Sequence, residues 1–445
     1  MHRYLGKSVI AFWFLACLAY VSAPGQPVKT VKGIDTQRYV LTGSDVVFLE
    51  DLEHRAFLFF WEHSDPGTGL TLDRARTTGE APPPGDSHYK TASIASTGFA
   101  LTALCIAAKR GWISRSAALE RTRNTLDYFA NRAFNKRGWF YHWQDQVTGE
   151  RRWTSEISSI DTALLLGGVL TARQCFKDDA KIVRDAAKIS DRVDFRWMLN
   201  GDPLLLSHGW RPETGFLPNR WHDYSEQMVL NLLAIGSTAH SIPWRSWYAL
   251  KREYQNYDGY RYLAAVPPLF IHQYSHAWVD FRHKRERYKD FRTNYFENSI
   301  LATRAQRQFF IDILSMEFPT YSANIWGLTA SDAVDGYRAW GAPPRDPATD
   351  GTVVPNAPAG SLMFTPDISL PALEEMKAKY GDKIYGRYGF ADAFNPQTGW
   401  VDTDVIGIDV GITLLSAENL RGESVWSWFM QNKEVKKALS RAKIY

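Results

Sequence analysis

The segment Gln227 to Gly236 (Gln-Met-Val-Leu-Asn-Leu-Leu-Ala-Ile-Gly) leaves few architectures open. Val229, Leu230 and Leu233 recur at helical spacing from Glu226, and the residues between them are mostly apolar too. A helix with no wet face has to be enclosed by other helices. Directly before it, Trp221-His222-Asp223-Tyr224-Ser225-Glu226 supplies aromatic and polar side chains, and Gly209, Pro212, Gly215 and Pro218 mark an irregular loop further upstream. With Tyr224 or Ser225 as the start, where a serine oxygen can take up orphan first-turn amides, the pattern predicts a carboxylate, Glu226, in the first turn of a buried helix.

The same alternation runs through the chain. A 3.6-residue period predicts a helix over 46–61, capped by Ser44 or Asp45, and others over 93–110 (ended by Gly111), 114–134, 155–177 and 179–200. Further helical patterns cover 268–282, 294–318, 357–380, 412–420 and 424–441, and 138–143 reads as a short strand. Helices that are apolar all round alternate with amphipathic ones, and no Pro/Ser linker divides them. This order fits an all-α (α/α)6 toroid, a double ring of six helical hairpins with short β segments in its loops. Residues 45–445 then form one domain behind a polar lead at 24–44. An irregular helical bundle is the alternative.

Composition narrows the function. A net charge of +4 over 445 residues gives no reason to invoke nucleic acid, and the short basic run 282–287 reads as a solvated face. His2, Arg3 and Lys7 precede a mostly apolar stretch from Ser8 to Val21 and a small-residue cleavage site, Val21-Ser22-Ala23. Residues 1–23 are therefore expected to be an export signal. Phe14-Leu15-Ala16-Cys17 would instead make it a lipoprotein signal, and only lipidation at Cys17 would place the chain on a membrane. The expected location is periplasmic or secreted, as a monomer. Cys105 and Cys175 read as small buried side chains, too few for a disulfide framework. Seventeen tryptophans stand out, many beside Gly, His or Asp, as at Trp139, Trp143, Trp153, Trp210, Trp221, Trp326, Trp340 and Trp400. Such rings suit the apolar C–H patches of a sugar.

Polar and aromatic clusters recur just before buried helices: Trp153 to Asp161, Trp221 to Glu226, His272 to Asp280, Trp326 to Asp332, Asp350 to Thr352, and Trp400 to Asp409. In a toroid these loops converge on one mouth. Two carboxyl groups there could cleave a glycosidic bond, one protonating the leaving oxygen and one activating water. Glu226 is the candidate acid, with Asp161 and Asp409 as its catalytic companions. Glu156, Trp153, Tyr224, His276, Trp326, Asp332 and Trp400 are candidate substrate contacts. His276 and Asp280 are expected to form an orienting i,i+4 pair. No zinc, phosphate-loop or Gly-x-Ser-x-Gly pattern occurs, so neither metal nor cofactor is expected.

Several blocks also resemble the glycoamylase-like family, which includes bacterial endo-β-1,2-glucanases: 95–101, 156–165, 224–228, 272–282, 326–332, 350–352 and 389–395. The resemblance implies an (α/α)6 toroid and an inverting hydrolase of β-1,2-glucan, with Glu226 matching the family's proposed acid and Asp161 among its essential acidic positions. Where relatives often continue Gln-Gly-Pro after the block ending in Asp409, this chain has Val410-Gly411-Ile412. A glycan-binding protein without turnover, and a phosphorylase or transferase, are the competing expectations.

Overall fold

The computed structural model describes residues 39–445, so the expected signal and Cys17 lie outside the described residues. Six inner helices make the frame: α1 (Ile94–Arg110), α2 (Ser159–Cys175), α3 (Met228–Gly236), α4 (Tyr274–Trp278), α5 (Asn356–Gly360) and α6 (Gly407–Gly422). Each of the first three packs on the next. The turn Leu269–His272 leading into α4 packs on α5, α5 packs on α6, and α6 closes on α1. Outer helices cover this ring, with Gly43–His63 against α1 and α6, Arg115–Asp127 against α1, and Ala180–Asp191 against α2. Lys433–Arg441 lies against α3, Tyr295–Phe309 behind the turn before α4, and Pro366–Tyr380 beside α5. The (α/α)6 toroid is thus the observed architecture. No helix among the described residues is long and apolar enough to cross a membrane.

The inner helices run parallel. A Cβ on Gly407 would meet Ser96 and one on Gly411 would meet Phe99, which sets α6 in step with α1. Between α1 and α2 the backbones touch: a Cβ on Gly168 would lie 2.0 Å from the Gly98 carbonyl oxygen, so neither position tolerates a side chain. Most residues of these helices are buried, and in α3 every residue from Met228 to Gly236 is.

Short antiparallel strands lead into the ring at one end. Thr91–Ser93 pairs with Thr71–Leu72 and Trp143–Asp145, Ile157–Ser158 with Gly209–Arg211, and Asp404–Ile406 with Arg74–Arg76. Ser93 and Ser158 each end a strand and cap the next helix, accepting from the amides of Ser96 and Asp161. That cap is why the segment 155–177 divides into a strand and a helix beginning at Ser159. The first outer helix is capped by Thr42, not Ser44 or Asp45, because Asp45 sits at its third position and returns a bond to the Thr42 amide in a capping box. The 357–380 segment is two helices, Asn356–Gly360 and Pro366–Tyr380, the second with proline at its first turn.

Candidate active site

Because the inner helices are parallel, their first turns line one mouth and bring Asp161, Glu226, Tyr274, Asn356 and Asp409 to it from five segments. Glu226 lies two residues before α3, whose cap is Gln227, rather than in its first turn. The difference comes from the neighbouring helix. Ser275 Oγ donates to the Glu226 carbonyl (2.6 Å) and accepts from the Val229 amide (2.9 Å), doing the work expected of a serine within the segment. Ser225 instead donates to the Glu226 carboxylate. Burial raises the pKa of this half-buried carboxyl, and the charge of Asp161 adds to the rise, against the Ser225 bond.

Asp161, buried in the first turn of α2, accepts from Ser158 Oγ at its carboxylate and donates its amide back to that same cap. His142 bridges it to Glu156: Nε2 is 3.4 Å from Asp161 Oδ1 and Nδ1 is 3.1 Å from Glu156 Oε1. Burial alone would lower the His142 pKa, but the two carboxylates outweigh it and raise it to about 9. Glu156, which burial would raise, is brought down to about 2 by the His142 bond and charge. Trp143 stacks on His142 with centroids 3.8 Å apart, and the half-exposed Trp153 meets Trp143 and His88 edge-on. Trp153 holds φ at 51°, in the left-handed region that a tryptophan seldom occupies.

Across the mouth, Asp409 in the first turn of α6 accepts from Asn356 Nδ2 (2.7 Å) and Tyr274 OH (3.1 Å). Its pKa rises to about 7, with burial as the main cause. Tyr274 feels the charge of both Asp409 and Glu226, which places the two walls within one electrostatic neighbourhood. Beside Asp409 lie Asp392 and Asp402, the latter pushed up to about 7 by burial and by Asp332. Asp392 Oδ1 and Asp402 Oδ2 are buried and meet no donor from the protein. Such oxygens suit sugar hydroxyls, which carry their own protons. Carboxylate oxygens of Asp332, Asp392 and Asp402 lie within 4.8 Å of one another, a spacing that a hard cation also accepts, as do ligand atoms of His142, Glu156 and Asp161. In both groups a protein cation is already engaged. Arg74 binds Asp332 at 2.5 Å, and His142 occupies the other.

Some expected contacts lie elsewhere. Tyr224 is buried, its hydroxyl paired with His272 Nδ1 at 3.0 Å and approached by Asn298. His276 is fully buried among Phe281, Phe296 and Phe364. Its expected partner Asp280 falls beyond the end of α4 and binds Arg282 instead. Trp326 is 0% exposed and belongs to the core. These three cannot touch a sugar in this arrangement. Trp400 is half-buried on a hairpin with Phe394–Asn395, between Asp392 and Asp402. His142, Tyr274, Asn356, Asp392, Asp402 and Arg74 were not singled out by the sequence. Of these, Tyr274, Asp392 and Asp402 sit inside blocks that did stand out, while Arg74 reaches Asp332 across 258 positions.

A family model, Glycoamylase ("Putative glucoamylase"), matches residues 218–433, a little under half of the chain. An endo-β-1,2-glucanase from Chitinophaga pinensis, solved with sophorotriose and glucose, is 26% identical and superposes with a TM-score of 0.82 over 91% of this chain and 99% of its own. The chain resembles the glycoamylase-like family. An exo-β-1,2-glucooligosaccharide sophorohydrolase (non-reducing end) from Parabacteroides distasonis is 27% identical over 89% of this chain, and the chain spans 58% of that curated relative's length. An endo-β-1,2-glucanase from Talaromyces funiculosus, solved with sophorose, shares the fold alone, at 12% identity and a TM-score of 0.61 over 88% of this chain and 90% of its own. Both bacterial relatives of this glycoamylase-like chain carry names that specify β-1,2-glucan chemistry.

Proposed function

We propose that this chain is an exported glycoside hydrolase that cleaves β-1,2-glucan at internal bonds with inversion. One observation carries the reading: Asp161 and Asp409, in the first turns of inner helices, and Glu226, just before another, stand on a single mouth, and burial raises the pKa of Glu226. A carboxyl so placed keeps its proton and can deliver it to the leaving oxygen. Asp161, which burial raises and the positive charge of His142 pulls back toward the anion, takes the proton from the attacking water. Asp409, held by Asn356 and Tyr274, receives sugar hydroxyls beside the reacting centre, and Trp143 and Trp153 give the glucan an aromatic rail. The names of the bacterial relatives support the linkage.

The test is incubation of the full chain with linear β-1,2-glucan, β-1,3-glucan, cellulose oligomers and starch. The expected result is a ladder of β-1,2-linked oligosaccharides from the first substrate alone, released as the inverted anomer. Sophorose as the sole early product would replace the internal mode with an exo one. Binding without any release of reducing ends would leave a glycan-binding protein in place of the enzyme.

A further inference from the structure

The two cysteines among the described residues lie on the helix pair whose backbones touch. Gly98 on α1 faces Gly168 on α2, and the helices run in the same direction. Each chain then advances seven residues, two helical turns, and arrives at a cysteine: Cys105 on α1 and Cys175 on α2. Cys105 is buried and Cys175 half-buried. Burial pushes the Cys105 thiol well up, and the neighbouring Cys175 adds to the rise. Disulfide formation requires closely spaced backbones whose Cβ vectors converge, which a glycine-seated parallel pair supplies in matching register.

We propose that Cys105 and Cys175 are the site of an intramolecular disulfide that staples α1 to α2. A small-molecule disulfide serves as oxidant. The more accessible sulfur, Cys175 as thiolate, attacks it, forming a mixed disulfide and releasing one thiol. Cys105 sulfur then attacks the Cys175 sulfur, giving its proton to solvent and expelling the second thiol. Two protein thiols are oxidised and one external disulfide is reduced to two thiols. The closed loop spans residues 105 to 175 and contains His142, Glu156 and Asp161, so the staple restrains the segment that carries one wall of the mouth. An oxidising compartment, as expected for an exported chain, would maintain it.

The experiment uses the full chain, reduced and then treated with oxidised glutathione. Peptide mapping without reductant should show one linked pair containing Cys105 and Cys175, and intact mass should fall by two hydrogens. The oxidised protein should melt several degrees above the reduced one. Cys175→Ser should abolish both the linked pair and the shift while folding as the reduced parent does, and Cys105→Ala provides the same check from the buried side. Full alkylation of both thiols after oxidation, or a glutathione adduct on Cys175 that never resolves into the linked pair, would overturn the proposal. The readout is independent of turnover, so it stands or falls apart from the glucanase reading.

Discussion

On the α2 side of the mouth Glu156 is brought down to about 2, whereas on the α6 side Asp402 is pushed up to about 7. Both are carboxyl groups in a poorly hydrated setting, and burial acts on both in the same direction. What differs is the company. Glu156 and Asp161 share a bridging imidazolium, while Asp332, Asp392, Asp402 and Asp409 crowd together with Arg74 bound chiefly to Asp332 and Asp73. On the first wall the imidazolium holds Glu156 ionised and pulls against the burial that raises Asp161, whereas the second wall is built to hold protons. A hydrolytic site can use that split, with water activated at one side and protonated carboxyls and hydroxyls exchanged at the other.

The largest effect should come from the group between the walls. Glu226→Gln is expected to lower turnover by about 10²–10⁴-fold while oligosaccharide binding, measured by calorimetry, persists. The rate of the parent should fall as pH rises through the elevated Glu226 pKa, because only the protonated acid donates.

Next in size is His142→Ala, which leaves Glu156 and Asp161 without their shared cation. A loss of stability on the order of 3 kcal/mol in denaturant unfolding is expected near neutral pH. In the parent, the His142 contribution is fully present below the imidazole's ordinary pKa and is lost as pH climbs through about 9. Equal stability of H142A and parent at pH 7 would show that the two walls do not differ as described.

Asp402→Asn tests the other wall with the opposite sign. A carboxyl whose folded pKa is raised stabilises below its unfolded pKa, and that contribution disappears as pH rises through about 7. The parent should therefore lose stability between pH 4 and 8, and D402N should flatten that slope, gaining about 1–3 kcal/mol at pH 8. The smallest effect is expected at the rim. Trp153→Ala should raise KM by about 2–10-fold, the weight of one stacked ring, with kcat little changed.

Much of the frame was legible in the chain. The all-apolar α3 and the alternation of wet and dry helices each follow from local rules that the structure obeys. Glu226, Asp161 and Asp409 are recognisable because each directly precedes or opens a helix with no polar face. What could not be read is how far apart in sequence the partners lie. Nothing near Arg74 announces Asp332, and Asp392 meets Asp409 only because two loops fold over the same helix end. The aromatic signal misled at Trp326 and His276 for a related reason. A ring beside glycine or serine marks an irregular loop, and in this ring such loops pass through the core as often as they border the mouth.

The common direction of the three long inner helices has one further consequence. Each exposes free amide hydrogens at the end where Asp161 and Asp409 cluster, and each finishes at the opposite end near a basic residue: Lys109 and Arg110 on α1, Arg173 on α2, Arg421 on α6. The scaffold thus supplies background positive potential to the carboxyls from its own peptide bonds. Acidic side chains can therefore crowd at this end of the ring without an arginine opposite each.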